Sequence, residues 1–292
     1  MAEPAIAAQT PHARPAPPLR VVADAEAVPA PRRPEPRLEI PPYDLTAALR
    51  LERELGVSHV LAQVLVRRGL GDPGSAREFL EAREQHPPSA FAGIERAVGA
   101  VQRHIRAGTR ITVHGDYDVD GVCATAILVR ALRSLGANVN WFIPDRLEDG
   151  YGLSSDTVRR LAARDTRLLI TADCAITAVE ETMAASALGL EVVVTDHHHP
   201  RSSGELPDCP IVHPAVCGYP CPELCGTAVA YKLAQALGAP GVEDDLELVA
   251  LATVADLVPL LDENRRLVRA GLAALAGTAK PGLRSLMAVS RA

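Results

Sequence analysis

Arg110-Ile111-Thr112-Val113-His114-Gly115-Asp116-Tyr117-Asp118-Val119-Asp120-Gly121 is the stretch on which the reading of this chain turns. An apolar, β-favouring run leads directly into three aspartates at alternate positions. Asp is a poor strand residue and is almost never buried without a partner. Three like charges so close together call for a cation to hold them. A second cluster, Asp196-His197-His198-His199-Pro200, also follows an apolar run, Glu191-Val192-Val193-Val194-Thr195. Carboxylates and imidazoles at strand ends predict a divalent-metal site built on a parallel sheet.

The surrounding pattern supplies that sheet. A strand over 110–114 is followed by a helix from about 121 to 135, a strand near 138–143, a helix near 154–163 and a strand at 168–171. A helix near 178–187, the strand at 191–195 and a short fifth strand near 210–213 complete the series. Short apolar strands alternating with helices predict an α/β fold with a doubly wound, mainly parallel sheet. Ligands of such sheets sit beyond the carboxyl ends of the strands. Asp173 follows the strand Leu168-Leu169-Ile170-Thr171, so three strand ends deliver charged residues to one crevice. From about Gly226 the pattern is helical. Within it, Asp256 lies in the apolar stretch Thr253-Val254-Ala255-Asp256-Leu257-Val258-Pro259 and is expected to face a partner.

Ahead of the sheet the chain changes character twice. Residues 1–42 are rich in Pro and Ala, lack periodicity and are expected to be a disordered tail. Residues 43–107 carry apolar positions at helical spacing, with Asp72-Pro73 opening one helix. They are expected to form a helical prelude to the α/β domain over 108–292.

Bulk properties set limits. A chain of 292 residues with 48% apolar composition can bury a full core. The formal charge of −6 argues mildly against a nucleic-acid binder, although an acidic metal cage inflates the negative count. Aromatics are only 3%, which weakens readings that need rows of stacked rings. Of the 30 basic residues only Lys232 and Lys280 are lysines; arginine suits phosphate recognition. No secretory signal and no apolar run of membrane-spanning length is visible, so a reducing cytoplasm is the expected location. Four of the six cysteines fall between 209 and 225, but C-x7-C-x3-C-x3-C is not the spacing of zinc knuckles.

Plainer readings compete. The D-x-D-x-D-G string resembles an EF-hand loop, yet its twelfth position is Ile127 rather than Glu and its flank is a strand. The aspartates could also form a solvated acidic turn, and the histidines a surface run. Taken alone, Asp173 could equally be a helix N-cap, and Asp256 a buried salt-bridge partner. One dinuclear cage would use all of these residues at once.

These residues resemble the DHH phosphoesterase superfamily, and in particular the RecJ-type single-strand-specific DNA exonucleases of bacteria. The resemblance runs from about Leu51 to the C-terminus. Its motifs are His114-Gly115-Asp116-Tyr117-Asp118-Val119-Asp120-Gly121, Thr171-Ala172-Asp173-Cys174, Asp196-His197-His198 and the segment around Asp256. Gly150-Tyr151-Gly152-Leu153, Leu224-Cys225-Gly226 and Glu263-Asn264-Arg265 resemble RecJ proteins in particular. Three positions depart: Ala175 and Ala228 stand where the family usually has Gly, and His213 where it tends to have Asn. RecJ proteins continue into a DHHA1 domain and an OB-fold, so the sequence is expected to be a catalytic half.

The resemblance implies two Mn²⁺ or Mg²⁺ ions roughly 3.5–4 Å apart. It implies that His114, Asp118 and Asp173 hold one ion, and that Asp120, Asp173, His197 and Asp256 hold the other. Asp116 and Asp196 are expected to orient ligands, and His198 to contact the scissile phosphate or protonate the leaving group. The implied activity is stepwise 5′→3′ removal of nucleotides from single-stranded DNA in repair and recombination, with a single-strand-binding protein or helicase as accessory partner and no membrane. Two further readings keep the fold: a phosphoesterase for short oligonucleotides or cyclic dinucleotides, and an inactive nucleic-acid-binding remnant.

Overall fold

The computed structural model describes residues 42–147 and 149–290; the tail expected over 1–42 lies, up to residue 41, outside the described residues. The first helices are set by their caps. Asp44 accepts the N–H groups of Thr46 and Ala47 to start α1 (Leu45–Leu55), which ends on Gly56 at φ +67°. Ser58 caps α2 (His59–Arg67), and Asp72, followed by Pro73, caps α3 (Pro73–Glu81). These helices enclose a small core of their own around Ala48, Leu51, Ala62, Leu65 and Ala76. From Tyr43 onward the chain forms one compact unit. No helix among the described residues is long and apolar enough to cross a membrane.

After α4 (Ile94–Arg106) the alternation begins: β1 (Arg110–Gly115), α5 (Val119–Ser134), β2 (Val139–Phe142), α6 (Ser155–Ala162), β3 (Thr166–Ala172), α7 (Val179–Ala187), β4 (Glu191–Thr195) and β5 (Ile211–Val212). The five strands pair in the order β2-β1-β3-β4-β5, all parallel, as the alternation predicts. The register places His114 beside Thr171 and Gly115 beside Ala172, so the residues that follow β1 and β3 leave the sheet at one level. The Asp173 N–H donates to the Thr195 carbonyl at 3.0 Å, bringing the end of β4 to that level too.

Four more helices complete the chain: α8 (Gly226–Ala236), α9 (Leu246–Ala255), α10 (Asp262–Leu275) and α11 (Pro281–Ser290). The main core lies between the sheet and α5, α8 and α9, with Ile111, Ile127, Leu128, Leu132, Ile170 and Leu233 buried in it. Each such side chain contributes about 1.5–3 kcal/mol of burial free energy. A second core covers the other face through α6 and α7, using Val158, Leu161, Leu169 and Val194. Helix α5 is therefore buried along most of its circumference, which is why its apolar positions show no clean stripe.

One buried ion pair crosses the main core. The Lys232 ammonium donates to the Glu263 carboxylate and, at 2.8 Å, to the His86 carbonyl. The Tyr219 hydroxyl donates to the other Glu263 oxygen at 2.7 Å. The pair joins α8, α10 and the segment that leads from the helical prelude. Arg265 reinforces this junction from α10, donating to the Phe79 carbonyl at 2.7 Å with its guanidinium 3.6 Å from the Phe79 ring centre.

Helices α9 and α10 pack backbone to backbone at Gly271. A Cβ there would meet the Leu246 carbonyl oxygen and lie 2.5 Å from the Ala250 Cβ. We expect Gly271→Ala to destabilise the protein by about 1–3 kcal/mol, the usual cost of overpacking. Urea unfolding followed by circular dichroism would measure it, and an unchanged midpoint would contradict this packing.

Candidate metal centre

The three aspartates of the opening segment have three different environments. Asp116 is buried and accepts the Tyr117 N–H at 2.6 Å. Asp118 is the N-cap of α5, accepting the Gly121 N–H at 2.9 Å. Asp120, buried in the first turn of α5, accepts two amides from the start of another helix: Gly226 N–H on one carboxylate oxygen and Thr227 N–H on the other, each at 2.7 Å. Helix α8 has no side-chain cap of its own. Asp120 therefore caps it from a distance, and the positive end of the α8 dipole faces the acidic cluster.

Asp173 leaves β3 in the left-handed region, at φ +67°, and is 1% exposed. It does not cap α7, which starts at Val179. Both of its carboxylate oxygens are buried with no hydrogen-bond partner, as are His114 Nε2 and His197 Nε2. Polar atoms left this way cost about 1–3 kcal/mol each, more when charged, and demand a reason. Burial, with the charge of Asp120 adding to it, pushes the Asp173 carboxyl up to about 10. Gly226 is what lets α8 approach it, since a Cβ at that position would meet Asp173 Oδ1 and lie 2.6 Å from the Asp173 Cβ.

From β4 comes Asp196, whose carboxylate accepts the Ile176 N–H at 2.8 Å, the His197 N–H at 2.7 Å and His198 Nδ1 at 2.8 Å. Burial alone would raise this carboxyl, but the His198 hydrogen bond and charge and the backbone donors outweigh it and hold it below the usual carboxylate range. The same bond raises the His198 imidazole. His197 Nε2 lies 3.2 Å from Asp173 Oδ1, 3.6 Å from Asp120 Oδ2 and 3.7 Å from Asp256 Oδ2. Asp256 is the C-cap residue of α9 and is partly exposed. Burial and the charge of Asp120 raise its carboxyl, opposed by His197.

Potential ligand atoms within 4.8 Å of one another form three groups: Asp116, Asp118 and Asp173; Asp120, His197 and Asp256; and Asp173, His197 and His198. The structure places Asp118, Asp120, Asp173, His197 and Asp256 within these groups. It adds Asp116, expected only to orient ligands. His114 stands outside all three groups. Its ring is fully buried with Nδ1 3.6 Å from the Cys174 thiol, and burial pulls its pKa down to about 4. The capping amides of Gly226 and Thr227 were not found from the sequence. A glycine followed by a hydroxyl residue at the start of a helical pattern was the available signal.

The departures from the family pattern have distinct consequences. His213 is buried with Nε2 donating to the His198 carbonyl at 2.8 Å and Nδ1 accepting the Val216 N–H at 3.2 Å. Neutral imidazole supplies one donor and one acceptor, as an asparagine amide would. Ala228 is simply buried within α8. Ala175 sits at φ +84°, where a side chain costs about 1–2 kcal/mol.

The DHH family, N-terminal domain, matches residues 110–258, and the chain belongs to this family. It is 40% identical over 259 residues to the single-stranded-DNA-specific exonuclease RecJ of Bacillus subtilis, covering 87% of this chain and 33% of that protein. A crystal structure of exonuclease RecJ bound to manganese superposes with a TM-score of 0.65 at 39% identity, covering 70% of this chain and 54% of the other. RecJ from Thermus thermophilus in complex with Mn²⁺ gives 0.71 at 34% identity, covering 86% and 36%. The chain thus spans about a third of the length of the Bacillus protein.

Two measurements follow. Ala175→Gly is expected to raise the unfolding free energy by about 1 kcal/mol by releasing the left-handed strain; no gain on denaturant unfolding would argue against that conformation. Asp173 sets a pH dependence in metal-free protein. Its folded pKa lies above the unfolded value, so its stabilising contribution is complete below about pH 4 and is lost as pH rises toward 10. Asp173→Asn stays neutral throughout. The variant should therefore be more stable than the parent at pH 9, by about 1–3 kcal/mol, with the gap closing toward pH 5. Melting curves in chelator at both pH values would test this, and a gap independent of pH would count against it.

Proposed function

We propose that this chain is the catalytic part of a metal-dependent phosphodiesterase that removes nucleotides from single-stranded DNA, in the 5′→3′ direction, in DNA repair and recombination. One observation carries the reading. Asp173, with both oxygens buried and unpartnered, is shared by two of three ligand groups at the carboxyl ends of parallel strands. The similarity to RecJ exonucleases supports the substrate class.

The donor set fits two divalent ions. Carboxylates suit hard cations such as Mg²⁺, and the added imidazole favours Mn²⁺. Asp116, Asp118 and Asp173 would hold one ion, with buried, unpartnered His114 Nε2 as a further donor from the same strand end. Asp120, His197 and Asp256 would hold the other, with Asp173 reaching toward both. Bound there, the ions would supply a water of lowered pKa and neutralise charge at phosphorus.

The chain's own side chains supply the rest. Asp196 fixes the His198 ring through Nδ1 and favours its protonated form, leaving Nε2 to donate to a phosphate oxygen or to the leaving oxygen. Beside His198 two tyrosine rings pack edge to face: Tyr151, exposed, at 6.3 Å from the His198 ring, and Tyr117 at 6.4 Å from Tyr151, with the Arg146 guanidinium 5.4 Å over Tyr117. This arrangement offers one exposed ring, Tyr151, to stack a base of any identity and one exposed guanidinium, Arg146, to pair with a phosphate. It favours an unpaired strand as the substrate. A single-strand-binding protein or a helicase would suit this activity as partner because each presents unpaired strands. Six free thiols suit a reducing cytoplasm.

The test uses end-labelled single-stranded DNA with Mn²⁺, Mg²⁺ or chelator, beside duplex DNA and dinucleotides. Expected are metal-dependent release of nucleotides from long single strands, loss of activity in chelator, and a fall of at least about 10³-fold for Asp173→Ala. Faster turnover of dinucleotides would favour the short-substrate reading, and normal digestion by Asp173→Ala would overturn the assignment of this cage.

A further inference from the structure

Asn264 takes no part in the ligand groups, yet it is fully buried in the first turn of α10. Its side-chain amide donates to two backbone carbonyls, Glu223 at 2.7 Å and Pro259 at 3.2 Å. Both contacts are acceptors, which fixes the orientation of the amide. Its Oδ1 has no hydrogen-bond partner, so these two bonds are the ones that orient the side chain.

The two carbonyls belong to the two backbone segments that build one ligand group. Glu223 lies three residues before Gly226, whose N–H, with that of Thr227, holds Asp120. Pro259 lies three residues after Asp256. The Asp256 N–H donates to the Ala252 carbonyl at 2.9 Å and Val258 packs against the main core, but the residue between them points to solvent. Leu257 is in the left-handed region at φ +60° and is 87% exposed. The Asp256 carboxylate meets His197 at 3.7 Å, longer than a hydrogen bond. Asn264 is therefore a crosslink between the segment that follows Asp256 at the end of α9 and the helix start that orients Asp120.

From this geometry we infer that Asn264 is a positioning residue for the ion held by Asp120, His197 and Asp256, and not for the one held by Asp116, Asp118 and Asp173. The inference rests on the two-ion reading above. Loss of the crosslink frees Asp256 to drift from His197 and lowers the affinity of that group. The other group stands on β1, the start of α5 and β3, none of which accepts a hydrogen bond from Asn264.

The test is a Mn²⁺ titration of the full chain without substrate, with free Mn²⁺ counted by electron paramagnetic resonance. The parent should bind two ions. Asn264→Ala should bind one ion as the parent does and the other about 10–100-fold more weakly, the usual effect of removing a group that orients ligands. Activity of the variant should recover at high Mn²⁺, with the half-saturating Mn²⁺ concentration raised by the same factor. Leu51→Ala, which opens a cavity in the separate core of the helical prelude, serves as the destabilised control and should bind both ions normally. If Asn264→Ala does not fold, Asn264→Ser, which can still donate once, replaces it and should show a smaller loss at the same ion. Normal binding of both ions by the folded variant, or equal weakening of both, overturns the role of Asn264 while leaving the metal centre intact. A parent that binds no Mn²⁺ overturns the two-ion reading and this inference together.

Discussion

Charge repulsion among buried carboxylates is the constraint around which this protein is arranged. Asp116, Asp120, Asp173 and Asp196 are each nearly inaccessible to water, and Asp118 and Asp256 adjoin them. In a medium of low dielectric such a cluster is unfavourable unless each charge is met by a donor or the charge is removed. The structure uses both solutions. Asp196 and Asp120 are met by backbone amides and, for Asp196, by His198. Asp173 is met by no hydrogen-bond donor and takes up a proton instead. That division separates carboxylates held by hydrogen bonds from one left without them.

The fold serves this arrangement in simple ways. A parallel sheet brings strand ends to one side, and the β1–β3 register brings His114 level with Thr171. Glycines then allow backbone to approach the acids. A Cβ on Gly121 would lie 2.5 Å from Asp116, and one on Gly226 would meet Asp173. The start of α8 enters the cluster because only hydrogen occupies that position, and it contributes amides and the positive end of its dipole together.

Much of this could be read from the residues, for identifiable reasons. Strands β1, β3 and β4 announced themselves because each carries a short apolar run closely followed by an aspartate, and β4 was placed at its observed ends, 191–195. Helix α5 was expected to start near Gly121 but begins at Val119, because Asp118 acts as its cap. The helices after Gly226 could not be separated, since α9 is apolar on nearly every face and lacks a side-chain cap. Asp116 lies within a ligand group and His114 beside it, with its buried Nε2 unpartnered. Alternate spacing gives side chains a facing only while the backbone remains a strand, and β1 ends at Gly115. The contact between Asp120 and α8 spans more than a hundred residues, and no local pattern encodes it.

That long-range contact has a bearing on when the acidic cluster acquires its geometry. Asp120 belongs to the first βα unit, yet its carboxylate is oriented by residues emerging from synthesis much later. A chain still on the ribosome, or one opened by heat or proteolysis, possesses the acidic segment but not the geometry. The orientation of Asp120 is thereby tied to a finished tertiary structure.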